Sequence, residues 1–146
     1  MKTILIVDDN TFILEGLAMT FGILLRDSTI LTAENGMQAV KIMESVPVDL
    51  ILTDLSMPVM DGYGLIRHAK QNYPHIPLFV MTGVYTADVA ERLRPFGISQ
   101  CIEKPFDYEE LAHVIAHELE GWAAVSVHDL KPLVGQKLTV IAWLWA

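Results

Sequence analysis

The chain has 146 residues, 52% hydrophobic and 19% charged, which suits one domain with a real core and is too short for two ordinary ones. A net charge of −8 argues against direct binding to nucleic acid, and Cys101, the one cysteine, excludes an internal disulfide and a cysteine-rich zinc site. No run reaches the roughly 18 apolar residues that span a bilayer. No signal-peptide pattern opens the chain, so a cytoplasmic protein is expected.

Residues 3–7 form an apolar strand that ends abruptly at Asp8-Asp9-Asn10. Asn10 or Thr11 can cap a helix carrying Phe12, Ile13, Leu17 and Phe21 at helical spacing. Residues 28–33 read as a second strand, Asn35-Gly36 as a turn, and Met37, Val40, Ile42 and Met43 as a second helix broken at Pro47. The third strand, 48–53, is apolar or β-branched throughout and stops at Asp54. Met57-Pro58 forbids its continuation, and Asp61-Gly62 is a turn or the start of the next helix, expected over 64–73. A fourth strand over 78–81 ends at Thr82-Gly83, and a short helix over 87–94 is stopped by Pro95 and Gly97. A fifth strand over 98–103 ends at Lys104-Pro105, and Asp107 caps a last helix that runs to Glu120.

Five alternations of strand and helix with short connections call for a parallel sheet covered on both faces. The polar residues that end the strands, Asp8 and Asp9, Asp54, Thr82 and Lys104, then gather along the carboxyl edge, where open α/β sheets bind their ligands. Three crowded carboxylates repel one another, and a divalent cation relieves that repulsion. Oxygen ligands without His or Cys point to Mg²⁺, which keeps waters that a phosphate can replace. Lys104 and Thr82 can then hold the oxygens of a phosphoryl group on Asp54. His113 and His117, four apart, lack a third ligand and are read as helix surface.

Asp8-Asp9, Asp54 with Met57-Pro58 and Asp61-Gly62, Thr82-Gly83 and Lys104-Pro105-Phe106 resemble, in order, the receiver domain of two-component response regulators, the CheY-like family. The resemblance covers residues 1–121. It implies a flavodoxin-like (βα)5 three-layer sandwich with a five-stranded parallel sheet in the order 2-1-3-4-5. It further implies that Asp54 takes a phosphoryl group from a sensor histidine kinase or a histidine phosphotransfer protein, and that the change in shape is passed to a downstream protein partner. On this likeness Asp9, Asp54 and the Ser56 backbone carbonyl bind Mg²⁺, and Asp8 acts on the metal mainly through water. Lys104 pairs with Asp54 and then with the phosphoryl group, Thr82 moves to bond it, and Lys104-Pro105 matches a cis peptide. Such a protein catalyses only its own phosphorylation and dephosphorylation and is otherwise no enzyme. One departure stands out: the family usually has Tyr or Phe three residues before the lysine, where this chain has Cys101, so a side-chain switch of Thr82 with Cys101 is weaker or different.

A stand-alone switch is the leading expectation, with a pseudo-receiver kept only for protein contacts as the alternative. An aspartate-nucleophile phosphatase of the haloacid dehalogenase type is disfavoured, because Asp8-Asp9-Asn10 lacks a second Asp two residues after the nucleophile. Residues 122–146 fall outside the alternation. Within them 137–145 is nearly all apolar and is expected to be an added strand that packs on the receiver or pairs with a second chain as a homodimer.

Overall fold

The computed structural model describes residues 1–120 and the backbone of Thr139–Val140. Strands β1 (Lys2–Val7), β2 (Ser28–Ala33), β3 (Leu50–Asp54), β4 (Leu78–Thr82) and β5 (Gln100–Glu103) alternate with helices α1 (Thr11–Leu24), α2 (Gly36–Ser45), α3 (Gly62–Asn72), α4 (Ala87–Leu93) and α5 (Tyr108–Glu120). The five strands are parallel in the expected order 2-1-3-4-5. Strand β6 (Thr139–Val140) adds to β5 antiparallel, with Val140 opposite Ile102 and Thr139 opposite Glu103. Of the strand expected over 137–145, only these two residues fall among those described; the rest lies outside them, as does any second chain.

Because strand side chains alternate, each strand supplies two cores. Leu5, Val7, Ile51 and Val80 face α2, α3 and α4 together with Val40, Leu65 and Leu93. Ile4, Ile6, Leu52 and Phe79 face α1 and α5 together with Leu17, Phe21, Leu111 and Ile115. Each of these buried side chains contributes about 1.5–3 kcal/mol, so β1, β3 and β4, buried on both faces, form the rigid centre from which the polar edge projects.

Side-chain caps set where the helices begin. Asn10 accepts the N–H groups of Phe12 and Ile13, Asn35 that of Gln38 and Thr86 that of Val89. Asp61 accepts the Gly64 N–H at 2.9 Å, so α3 starts two residues earlier than periodicity placed it. The fourth helix ends in a 3₁₀ turn over Arg94–Phe96, closed by Gly97 at φ 58°. Helix α5 buries Glu110 and His117 along with Leu111, Ala112 and Ile115. The expectation that His117 lies on the surface is therefore wrong, since this helix is covered over more than one amphipathic stripe.

The connection from β3 to α3 holds the one positive φ outside glycine among the described residues. Val59 sits at φ 69°, and the Met60 N–H donates to the Pro58 carbonyl at 2.8 Å, closing a three-residue turn. A β-branched residue is strained there, and Val59 is 81% exposed, so no packing offsets the cost. Val59→Asn, which tolerates this conformation, should stabilise the fold by about 1 kcal/mol. A thermal or urea midpoint unchanged or lowered in that variant would show the turn to be unstrained.

Candidate functional site

The carboxyl edge of the sheet brings the expected residues together. One carboxylate oxygen from each of Asp8, Asp9 and Asp54 lies within 4.8 Å of the others. Asp8 is fully buried, Asp54 nearly so, and Asp9 is exposed. The Lys104 ammonium reaches in from the end of β5 and donates to Asp8 Oδ2 at 2.8 Å, while Asp54 Oδ2 lies 3.4 Å away. The resemblance implied a pairing of Lys104 with Asp54; that ion pair is present, and a shorter contact goes to Asp8, the more deeply buried carboxylate, which has the greater need of a counter-charge. Lys104-Pro105 is a cis peptide.

Backbone donors fix both acids. The Asn10 N–H donates to Asp8 Oδ1 at 2.9 Å, and the Leu55 N–H to Asp54 Oδ1 at 2.9 Å. Burial raises the Asp54 carboxyl above its ordinary range; Lys104 lowers it in part, Asp8 raises it further and the Leu55 N–H lowers it. Burial alone would depress the Lys104 ammonium, but its bonds and attraction to Asp8 and Asp54 outweigh that and hold it raised. Every donor in the acidic cluster is a hard oxygen, which fits Mg²⁺.

A cavity of about 500 Å³ opens beside this cluster, and Asp54, Ser56 and Thr82 line it together with Tyr63, Val84 and Arg92. Thr82 is buried, and its hydroxyl is engaged with the loop: it donates to the Val84 carbonyl at 2.9 Å and accepts the Val84 N–H at 3.3 Å. Cys101 is not at the edge. It is fully buried in the α2–α4 core, where burial, with the Glu103 charge adding to it, pushes the thiol up to about 12.

Two features escaped the sequence reading. The Arg92 guanidinium stacks 3.6 Å over the Tyr63 ring on the cavity wall, a pairing between two helices that no linear motif announces. The second is Gly62, whose N–H donates to the Leu55 carbonyl at 2.9 Å. A Cβ there would collide with the carbonyl oxygen of Asp54 and stand 2.7 Å from Leu55 Cα. Asp61-Gly62 carried the signal of a turn, but not that the glycine lies against the backbone of Asp54.

The model of the response regulator receiver domain matches residues 4–116. The chain belongs to this family. It is 31% identical over 94 residues to the DNA-binding transcriptional regulator NtrC of Escherichia coli, covering 64% of this chain and 20% of that protein. It is 31% identical over 115 residues to the response regulator protein PilR of Pseudomonas aeruginosa, covering 79% and 25%. The chain thus spans about a quarter or less of these curated relatives. Among solved structures, the CheY-like receiver domain protein from Methanospirillum hungatei superposes with a TM-score of 0.76 at 25% identity, over 82% of this chain and 94% of that one. The signal receiver domain of a DNA binding response regulator (merR) from Colwellia psychrerythraea gives 0.75 at 27%, over 83% and 100%. Among the described residues, no helix is long and apolar enough to cross a membrane.

Two outcomes follow from the receiver's geometry. Alanine normally gains up to about 1 kcal/mol over glycine in a helix, yet Gly62→Ala should lose about 1–3 kcal/mol, because the methyl must displace backbone. A denaturation midpoint equal to the parent's would refute the close approach. The second outcome concerns pH. With its folded value raised, Asp54 binds a proton more tightly in the folded state, so its charge destabilises the fold above that value and ceases to do so as pH falls towards the ordinary 3.8. Asp54→Asn should therefore raise the melting temperature at pH 7, with a gain that shrinks towards pH 4. A variant no more stable than the parent at pH 7 would reverse the sign argued here.

Proposed function

We propose that this receiver is a Mg²⁺-dependent phosphoacceptor in which Asp54 accepts a phosphoryl group from a phosphohistidine on a sensor kinase or phosphotransfer protein. The observation that carries the reading is the convergence of three carboxylates with Lys104 set between Asp8 and Asp54. An ionised carboxylate has about four acceptor positions, and Asp54 uses one for Leu55 and turns another to Lys104, leaving lone pairs for phosphorus. The Asp54 oxygen attacks the phosphorus, the O–P bond forms as the N–P bond breaks, and the imidazole leaves with the electron pair and takes up a proton. Asp8, Asp9, Asp54 and the Ser56 carbonyl would hold Mg²⁺, whose contribution is to offset the charge of the phosphoryl oxygens. Lys104 supplies a second positive charge at the acceptor oxygen, and Thr82 a hydroxyl donor across the cavity.

Exposed apolar side chains support a protein as phosphodonor. Phe12, Val59 and Val84, at 85%, 81% and 68% exposure, stand in the segments that follow β1, β3 and β4, and Met19 and Ile23 extend the surface along α1. A macromolecule that seats on such a rim buries it, which a small acyl phosphate does not. A pseudo-receiver is not favoured, because every polar group of the pocket is in place. The DNA binding stated in the name of NtrC belongs to a protein of which this chain matches 20%, and the signal is read here as passing to a protein partner. Residues 137–145 are read as an added strand that packs on the receiver or pairs with a second chain, the first supported by the pairing of Thr139–Val140 with β5.

Acetyl phosphate with Mg²⁺ should add one phosphoryl group, detected by mass and removed by hydroxylamine. Chelation of the metal should abolish the reaction, as should Asp54→Asn. The same modification persisting in Asp54→Asn would overturn the assignment.

A further inference from the structure

This inference rests on Asp54 being the phosphoacceptor. The Thr82 hydroxyl carries one proton, given to the Val84 carbonyl at 2.9 Å. A phosphoryl group on Asp54 brings three strong acceptor oxygens into the cavity that Thr82 lines. One proton cannot serve Val84 and a phosphoryl oxygen together. Turning to the phosphoryl group thus releases the Val84 carbonyl. Gly83 and Val84 are exposed, and a Cβ built on Gly83 meets nothing within 4 Å. The first side chain of the loop that packs against the body of the protein is Tyr85.

Tyr85 packs on the cluster that holds Cys101, Leu93 and Ile98. Cys101 lies opposite Val80 in the sheet, fully buried in that cluster, and its short side chain stands where the family usually carries an aromatic one. Burial raises the Tyr85 hydroxyl, and the neighbouring Cys101 raises it further. Tyr63, Tyr73 and Phe96 pack on the same cluster, but they belong to α3, its end and the 3₁₀ turn. Tyr85 alone of these four sits in the loop that the Thr82 hydroxyl ties down. We propose that Tyr85 is the aromatic that registers the state of Asp54: when Thr82 lets go of Val84, the Tyr85 ring shifts against Cys101. The start of α4 moves with it, because the next residue, Thr86, caps that helix at Val89.

Fluorine NMR on protein labelled with 3-fluorotyrosine tests this, since one spectrum shows bound beryllofluoride and the four tyrosines. The resonance missing in Tyr85→Phe should shift on adding beryllofluoride and Mg²⁺, by more than those of Tyr63, Tyr73 and Tyr108. At saturation Thr82→Val should show bound beryllofluoride with Tyr85 unmoved, and Thr82→Ser, which keeps the proton, should restore the shift. Bound beryllofluoride with an unmoved Tyr85 in the parent would overturn the proposal alone. A Tyr85 shift that survives in Thr82→Val would overturn the route through the hydroxyl. No bound beryllofluoride signal in the parent would overturn the phosphoacceptor reading and this proposal with it.

Discussion

The site turns on an electrostatic problem: three carboxylates converge at one edge of the sheet, and among the described residues one ammonium, from Lys104, answers them. The parallel sheet creates the problem, because β1 and β3 end side by side and deliver Asp8 and Asp54 to the same place. Lys104 ends β5, on the far side of β4, and its long side chain must reach across to them. Such a group of charges is a poor source of stability, since desolvation consumes most of what attraction returns. Removing Lys104 is another matter, because a buried carboxylate left without its counter-charge costs about 3–5 kcal/mol. The cluster is therefore held in place by the sheet rather than holding the sheet together.

Backbone geometry keeps Asp54 where that balance works. The strained turn at Val59 reverses the chain just after β3, and Gly62 then starts α3 against the carbonyl of Asp54. Gly36 meets the same loop from α2, donating its N–H to the Met60 carbonyl at 2.9 Å. Asp54 and the loop after it are thus held from β3, from α2 and from α3. A carboxylate with so little freedom needs no reorganisation to meet a phosphorus atom, which is the condition for catalysis by positioning.

Most of this is legible in the sequence, for a physical reason. Buried parallel strands are apolar runs, so each abrupt polar residue at a strand end is visible in one dimension, and the topology sends all such ends to one edge. Asp8, Asp9, Asp54, Thr82 and Lys104 were found in that way. What stayed hidden depends on distances between elements. The preference of Lys104 for Asp8 follows from relative burial, the contact of Gly62 with Asp54 from the path of a loop, and the stacking of Arg92 on Tyr63 from the approach of two helices. The start of α3 moved two residues back because the Asp61 cap overrode periodicity, and β3 and β5 begin two residues later than their apolar runs.

The charge count also says which group is suited to carry a signal. Three carboxylates and one ammonium leave the pocket at −2, the deficit a divalent cation matches. A phosphoryl group adds negative charge again, and Lys104 is already shared between Asp8 and Asp54, so its withdrawal from either leaves a buried carboxylate exposed to its neighbours. Thr82 faces no such penalty. It is neutral, its present partner is a carbonyl on an exposed loop, and that carbonyl can turn to water once released. Exchanging one neutral acceptor for a charged one is favourable by about 1 kcal/mol or more, since charge-assisted hydrogen bonds are roughly twice as strong as neutral ones. A bound cation would offset the carboxylates in both states, and the hydroxyl is the part that can afford to move.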